Sequence, residues 1–170
     1  MKNVGISKMK KIIEKIKAKI RGTIDLERLI KDGLSVGDNF HAQEGVIIDP
    51  GHCWLIEIGN NVTLAPRVHI LAHDASTKNI LGYTKISNVK IGNNVFVGAG
   101  TITLPGVTIE DNVIIGAGSV VTKDCKEGVY AGNPCTLVCS YQEYVNKQSK
   151  RLDMLPRYCL LYTSDAADDL

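Results

Sequence analysis

The residues of this chain best equipped for chemistry are its histidines and the carboxylates near them. His73 and Asp74 stand together in the segment LAHDAS, at the root of a long irregular stretch, and His52 stands in PGHCW beside Trp54. An imidazole of ordinary pKa ~6.5 is mostly neutral at pH 7 and can take a proton from a hydroxyl, a step worth roughly 10² to 10⁴ in rate. Asp74 could orient that imidazole or cap the loop. His69 falls on an outward position of the repeat described below. Only His69 and His73 lie close in sequence, and no histidine follows His73, so a three-histidine zinc site is not expected.

These residues are positioned by a repeat of six. Counting from Ile91, residues Ile91, Val97, Thr103, Ile109, Ile115 and Val121 form one column, and Val95, Thr101, Val107, Val113, Ser119 and Cys125 form a second. A helix needs a period near 3.6 and a strand a period of 2, so six fits a short strand followed by a corner. Three such steps return the chain above its start, and residues about 18 apart then stack at the ~4.8 Å spacing of paired strands. Corner positions are rich in Gly, Asn and Asp, which suit tight bends. The register continues upstream through Ile58, Leu64 and Ile70, and through Val36, Ala42 and Ile48. Extra residues imply two insertions, one near residues 50–54 and a long one at about 72–88. Twelve hexads make about four coils.

The repeat, together with VHILAHDAS, VTIEDNVIIGAGSVVTKD and AGNP, resembles the hexapeptide-repeat acyltransferases, and within them the maltose and galactoside O-acetyltransferases and the sugar O-acetyltransferases of polysaccharide biosynthesis. The resemblance covers residues 34 to about 154. It implies a mainly β fold, a left-handed parallel β-helix, assembled as a homotrimer with sites between subunits. It also implies an acetyl-CoA donor, a small-molecule or lipid-linked sugar acceptor, and no metal. On this likeness His73 is the general base. Ala99 would offer its amide to the thioester oxygen, Ala117 would line the pantetheine path, and Thr122 and Lys123 would lie near the nucleotide phosphates. Two departures stand out. Relatives carry basic residues after the Asn-Pro turn where this chain has Cys135 to Cys139, and the acceptor asparagine of galactoside-type relatives is replaced by Gln43 and Glu44 in FHAQEG. Gln43, Glu44, Asp49 and His52 are therefore candidate acceptor-binding residues. Other acceptors keep the fold: an amino sugar, giving an N-acyltransferase, or serine. A non-catalytic β-helix scaffold is the remaining alternative.

The flanks read differently. Residues 1–32 hold ten Lys or Arg against four acids, although the whole chain carries only +2, which gives no nucleic-acid signal. Residues 6–21 read as an amphipathic basic helix, either packed on the core or in peripheral contact with an anionic membrane. Asp25 to Lys31 reads as a second helix with Asp25 as its N-cap, so residues 1–33 form an N-terminal helical unit ahead of a β-helix at 34–138. Ser140 and Glu143 have capping-box spacing and open a helix within 139–158, and residues 159–170 resemble a non-native tail. Five cysteines without a CxxC pair, and no signal peptide or apolar run of 18, suggest a reducing cytoplasm.

Overall fold

In the computed structural model, which describes residue 22 and residues 24–152, the period of six becomes three stacks of short parallel strands around a shared core. The first face stacks Ser35–Val36, Ile56–Ile58, Val89–Ile91 and Thr108–Ile109; the second stacks His41–Ala42, Thr63–Leu64, Phe96–Val97, Val113–Ile115 and Gly128–Ala131. The third stacks Ile47–Ile48, His69–Ile70, Ile102–Thr103 and Val120–Val121. Phe96 pairs with Ile114, 18 positions on, as three hexads require. Thr63 pairs with Phe96 across 33 positions, because the long insertion lies between them. Gly128–Ala131 turns back through antiparallel pairing with Thr136–Cys139.

Both sequence columns point inward, and every residue in them is buried. Each fully buried Ile or Val contributes roughly 1.5 to 3 kcal/mol, so the double column is the main source of stability. Its hydroxyls are mostly answered: the Ser119 hydroxyl donates to the Gly116 carbonyl at 2.6 Å and accepts from the Gly132 amide at 3.1 Å. Thr101 donates to the same carbonyl at 3.2 Å. The buried Cys125 thiol is pushed up to about 12, chiefly by desolvation and then by Cys135 and Asp124. It packs rather than reacts.

The three edges of the prism differ in kind. At the first, between the first and second faces, the amide groups of Asn39, Asn61, Asn94 and Asn112 form a ladder with N–O distances of 2.9, 3.1 and 3.2 Å. All four sit at φ 55 or 56°, a bend Asn tolerates. The second edge consists of residues 43–45, 65–67, 98–100 and 116–118, and the third of residues that follow Ile48, Ile70, Thr103 and Val121. Both insertions leave from the third edge. The shorter holds a 3-10 turn, Cys53–Leu55; the longer is closed by antiparallel pairing of His73–Asp74 with Lys85–Ile86 and contains a short helix, Lys78–Leu81.

Helix α1, Leu26–Lys31, lies at the N-terminal end of the stack. Asp25 accepts from the Arg28 amide at 3.1 Å, and Leu29 is buried against the core. After the β-stack, Tyr141–Arg151 is helical, with the Ser140 and Glu143 capping box formed. The basic stretch 6–21 and the tail 159–170 lie outside the described residues. Among the described residues, no helix is long and apolar enough to cross a membrane.

Candidate active site

Because the two insertions leave the same edge on successive coils, they bring together residues more than twenty positions apart. Asp49 and Leu71 occupy the same place in the register, each directly after a buried isoleucine of the third face. Asp49 is 1% exposed. One of its oxygens accepts from the Ala72 amide at 3.1 Å and is hydrogen-bonded to His73 Nδ1. Its other oxygen accepts from the Gly51 amide at 3.1 Å and lies 3.5 Å from His52 Nδ1. Burial alone would raise the Asp49 pKa, but the His73 hydrogen bond, the Ala72 amide, the His73 charge and the Gly51 amide outweigh it and hold it below the ordinary value. An ionised carboxylate against Nδ1 keeps the proton there, so Nε2 carries the lone pair. Nε2 has no hydrogen-bond partner among the described residues, and the His73 side chain is 40% exposed. That combination is what a proton acceptor requires.

This geometry settles the two readings left open for Asp74 in favour of the loop cap, and it corrects one expectation. The carboxylate that orients His73 is Asp49 and not Asp74. The Asp74 side chain turns to Lys85 Nζ at 2.8 Å and accepts from the Ser76 amide at 2.8 Å, closing the neck of the long loop; Lys85, then Ser76, hold it well below the usual carboxylate range. Asp49, expected among surface groups for acceptor hydroxyls, is instead buried with both oxygens engaged. Counting hexads could have found the pair, since both insertions begin after the same column position, one coil apart. His52 is half-buried between two rings, 4.8 Å from His73 and 5.2 Å from Trp54. His69 is half-buried on the third face, level with Ile47 and Ile102.

The remaining candidates divide between two edges. Thr122 and Lys123 are exposed on the third edge, in the same stack as His73; the Leu104 amide meets Val121 just as the Leu71 amide meets Thr103. Ala99 and Ala117 lie on the second edge with Gln43 and Glu44. There the Gly100 amide donates to Pro66 and the Gly118 amide to Ala99, at 2.9 and 2.8 Å. Neither the Ala99 nor the Ala117 N–H donates to a protein acceptor among the described residues. A row of small side chains with unspent amides can lie against an extended amide-bearing ligand, and such amides can meet an oxygen that gains charge. One face of the prism separates this row from His73, roughly 15 to 20 Å at ~3.3 Å per residue.

Asp49, His52 and His73 offer ligand atoms within 4.8 Å of one another, the spacing of a possible metal site. The Asp49 carboxylate that a metal would have to share already accepts from the Gly51 and Ala72 amides and holds His73 Nδ1. Turnover is accordingly expected to survive dialysis against a strong chelator, and a loss restored by added zinc would contradict this.

Comparison with known proteins gives the lineage. Residues 88–123 match the family described as bacterial transferase hexapeptide (six repeats). The crystal structure of a maltose O-acetyltransferase from Clostridium difficile 630 superposes with a TM-score of 0.55 and 33% identity, over 76% of this chain and 84% of that one. The chain belongs to the hexapeptide-repeat transferases. This hexapeptide-repeat transferase is 46% identical over 105 residues to Protein CapG of Staphylococcus aureus, covering 59% of this chain and 61% of that protein. It is 39% identical over 112 residues to the galactoside O-acetyltransferase of Escherichia coli K12, covering 62% and 53%. It therefore spans about half to three-fifths of the length of these curated relatives.

Proposed function

We propose that this protein is an acetyl-CoA-dependent O-acetyltransferase acting on a sugar or polysaccharide precursor by direct transfer. The observation that carries the reading is the buried Asp49 carboxylate on His73 Nδ1, with Nε2 left open at the base of the long loop. The thioester supplies an activated acetyl group. His73 Nε2 takes the proton of the acceptor hydroxyl as that oxygen bonds to the acetyl carbon. Asp49 stabilises the imidazolium so formed. His73 then returns the proton to the sulfur as the C–S bond breaks, giving an acetyl ester and a free thiol. No protein nucleophile is needed, in keeping with the inert state of Cys125 and the burial of Cys53.

The oxyanion donor in this scheme is the Ala99 amide, and it lies a full face away from His73 of the same chain. A left-handed β-helix of about four coils, assembled as a homotrimer, resolves this by setting the third edge of one copy against the second edge of the next. Ala117 would then continue the donor groove, with Thr122 and Lys123 at its phosphate end. Gln43 and Glu44 would face the acceptor from the neighbouring edge. Free cysteines at positions 53, 125, 135 and 139 suit a reducing, cytoplasmic setting.

The test is to mix purified protein with acetyl-CoA and a panel of sugars, follow free thiol, and weigh the product. Acceptor-dependent thiol release with an acetyl ester on the sugar is expected. An amide product would move the reading to an amino-sugar N-acyltransferase. Absence of both turnover and any thermal shift with CoA would overturn it in favour of a scaffold.

A further inference from the structure

Trp54 is the one tryptophan of the chain, and it is 55% exposed although its backbone is tightly held. The Leu55 amide closes the turn on the His52 carbonyl at 3.0 Å. Beneath it the buried Cys53 thiol donates toward the Leu29 carbonyl of α1 and the carbonyl of its C-cap Asp32, at 3.6 and 3.5 Å. Gly33 lies so close that a Cβ there would sit 2.8 Å from Trp54 Cβ. The indole thus projects from a pinned turn rather than a loose loop tip. Its ring is 5.2 Å from His52, which is 4.8 Å from His73, so His52 links the exposed indole to the reactive imidazole through two ring contacts. A large, rigid, exposed aromatic surface leading into a reactive site is well suited to bind the apolar face of a ring-shaped ligand at little entropic cost.

We propose that Trp54 is a carbohydrate-stacking subsite, and that it binds not the sugar being acetylated but the next sugar of a glycosidic chain. The inference rests on the reading of the protein as a sugar O-acetyltransferase and deepens it. The His52 ring contacts both Trp54 and His73, and the indole makes no ring contact with His73 among the described residues, so a pyranose lying on the indole is set about one ring away from the imidazole. The ring whose hydroxyl meets His73 and the ring on Trp54 are then neighbours in one chain. The acceptor class is an oligosaccharide, free or carried on a larger molecule, rather than a monosaccharide.

Because the chain has a single tryptophan, its fluorescence reports this subsite directly. The His73→Ala protein, without acetyl-CoA, would be titrated with glucose, maltose and maltotriose, and with N-acetylglucosamine and its β-1,4 dimer and trimer. A saturable shift or quench is expected with the longer members of at least one series and not with its monosaccharide at equal concentration. In steady-state assays the wild-type protein should prefer the longer acceptor in kcat/KM, and Trp54→Ala should lose about 3- to 10-fold of that preference, as expected for one aromatic stacking contact. Trp54→Phe, which keeps a ring, should recover most of it. Turnover whose chain-length dependence is the same in wild type and Trp54→Ala, or absence of a fluorescence response to every sugar, would overturn the subsite while leaving the transferase reading standing. A fall in oligomer mass of Trp54→Ala by light scattering would also overturn it, since the indole would then be a subunit contact. Failure of the wild-type protein to turn over any acceptor would instead count against the transferase reading.

Discussion

His73→Ala is expected to lower kcat by roughly 10² to 10⁴, the usual worth of a positioned general base, with little change in the binding of acetyl-CoA. Folding should survive, because the side chain is 40% exposed and its partner Asp49 keeps two backbone amides. Asp49→Asn is the informative companion. It retains shape but removes the charge that fixes the proton on Nδ1, so a loss on the order of 10²-fold is expected with the His73 ring still in place. The pH dependence of stability has a definite sign. The folded-state pKa of Asp49 is depressed, so its contribution is present above the unfolded carboxylate value of ~3.9 and is lost as pH falls through the folded value. The difference in melting temperature between wild type and Asp49→Asn should therefore be clear at pH 7 and shrink in acid. A kcat for His73→Ala within a few-fold of wild type would end the mechanism.

Gly98→Val is expected to be the most damaging single change to the stack. A Cβ at Gly98 would lie 2.5 Å from the Ala117 nitrogen, 2.7 Å from the Ile115 oxygen and 2.8 Å from the Gly116 carbonyl carbon, all backbone atoms of the next coil. No rotamer relieves a clash with backbone, so the two coils must part and the ladder between Phe96–Val97 and Val113–Ile115 must open. Overpacking of this kind costs about 3 kcal/mol or more, a fall in melting temperature on the order of 10 °C for a domain of this size. Gly100 provides the contrast. A Cβ there meets nothing within 4 Å, but φ is +69°, so Gly100→Ala carries only backbone strain, about 1 kcal/mol. Equal melting points for the two variants would show that contact between coils does not limit stability.

The stack was legible because its signal is redundant: six inward residues in each of two columns, all buried, repeat at the same spacing, and one misread residue cannot hide the period. The capping residues Asp25 and Ser140 were legible for a local reason, since each acts within three positions of itself. The partner of His73 was harder, because hydrogen bonds across coils join residues such as Asp49 and His73 that are 24 apart. Proximity in sequence left Asp74 as either orienter or loop cap, and the loop geometry gives it to Lys85, which returns on the far strand of the insertion. The split of donor-site candidates between two edges was hidden too, because a motif shows which residues recur and not which way each corner faces. His52 and Trp54 stood out by residue type but not by placement: the short insertion has no periodicity, and only its anchoring at the end of α1 through Cys53 and Gly33 fixes where its rings point.

Both insertions spring from one edge while the residues beneath them keep the column intact. Exchanging either loop leaves the inter-coil ladder and the buried double column unaltered, so selection can rewrite which molecule is accepted without renegotiating the fold. Asp49 sits at the seam, inside the stack yet bonded to the loop, so that it alone of the site residues must satisfy both. The architecture behaves as a fixed handle with interchangeable tips, and a designer wishing to redirect it would graft at residues 74–88, and at 50–55 with Cys53 kept, while holding Asp49, Ala72 and His73 constant.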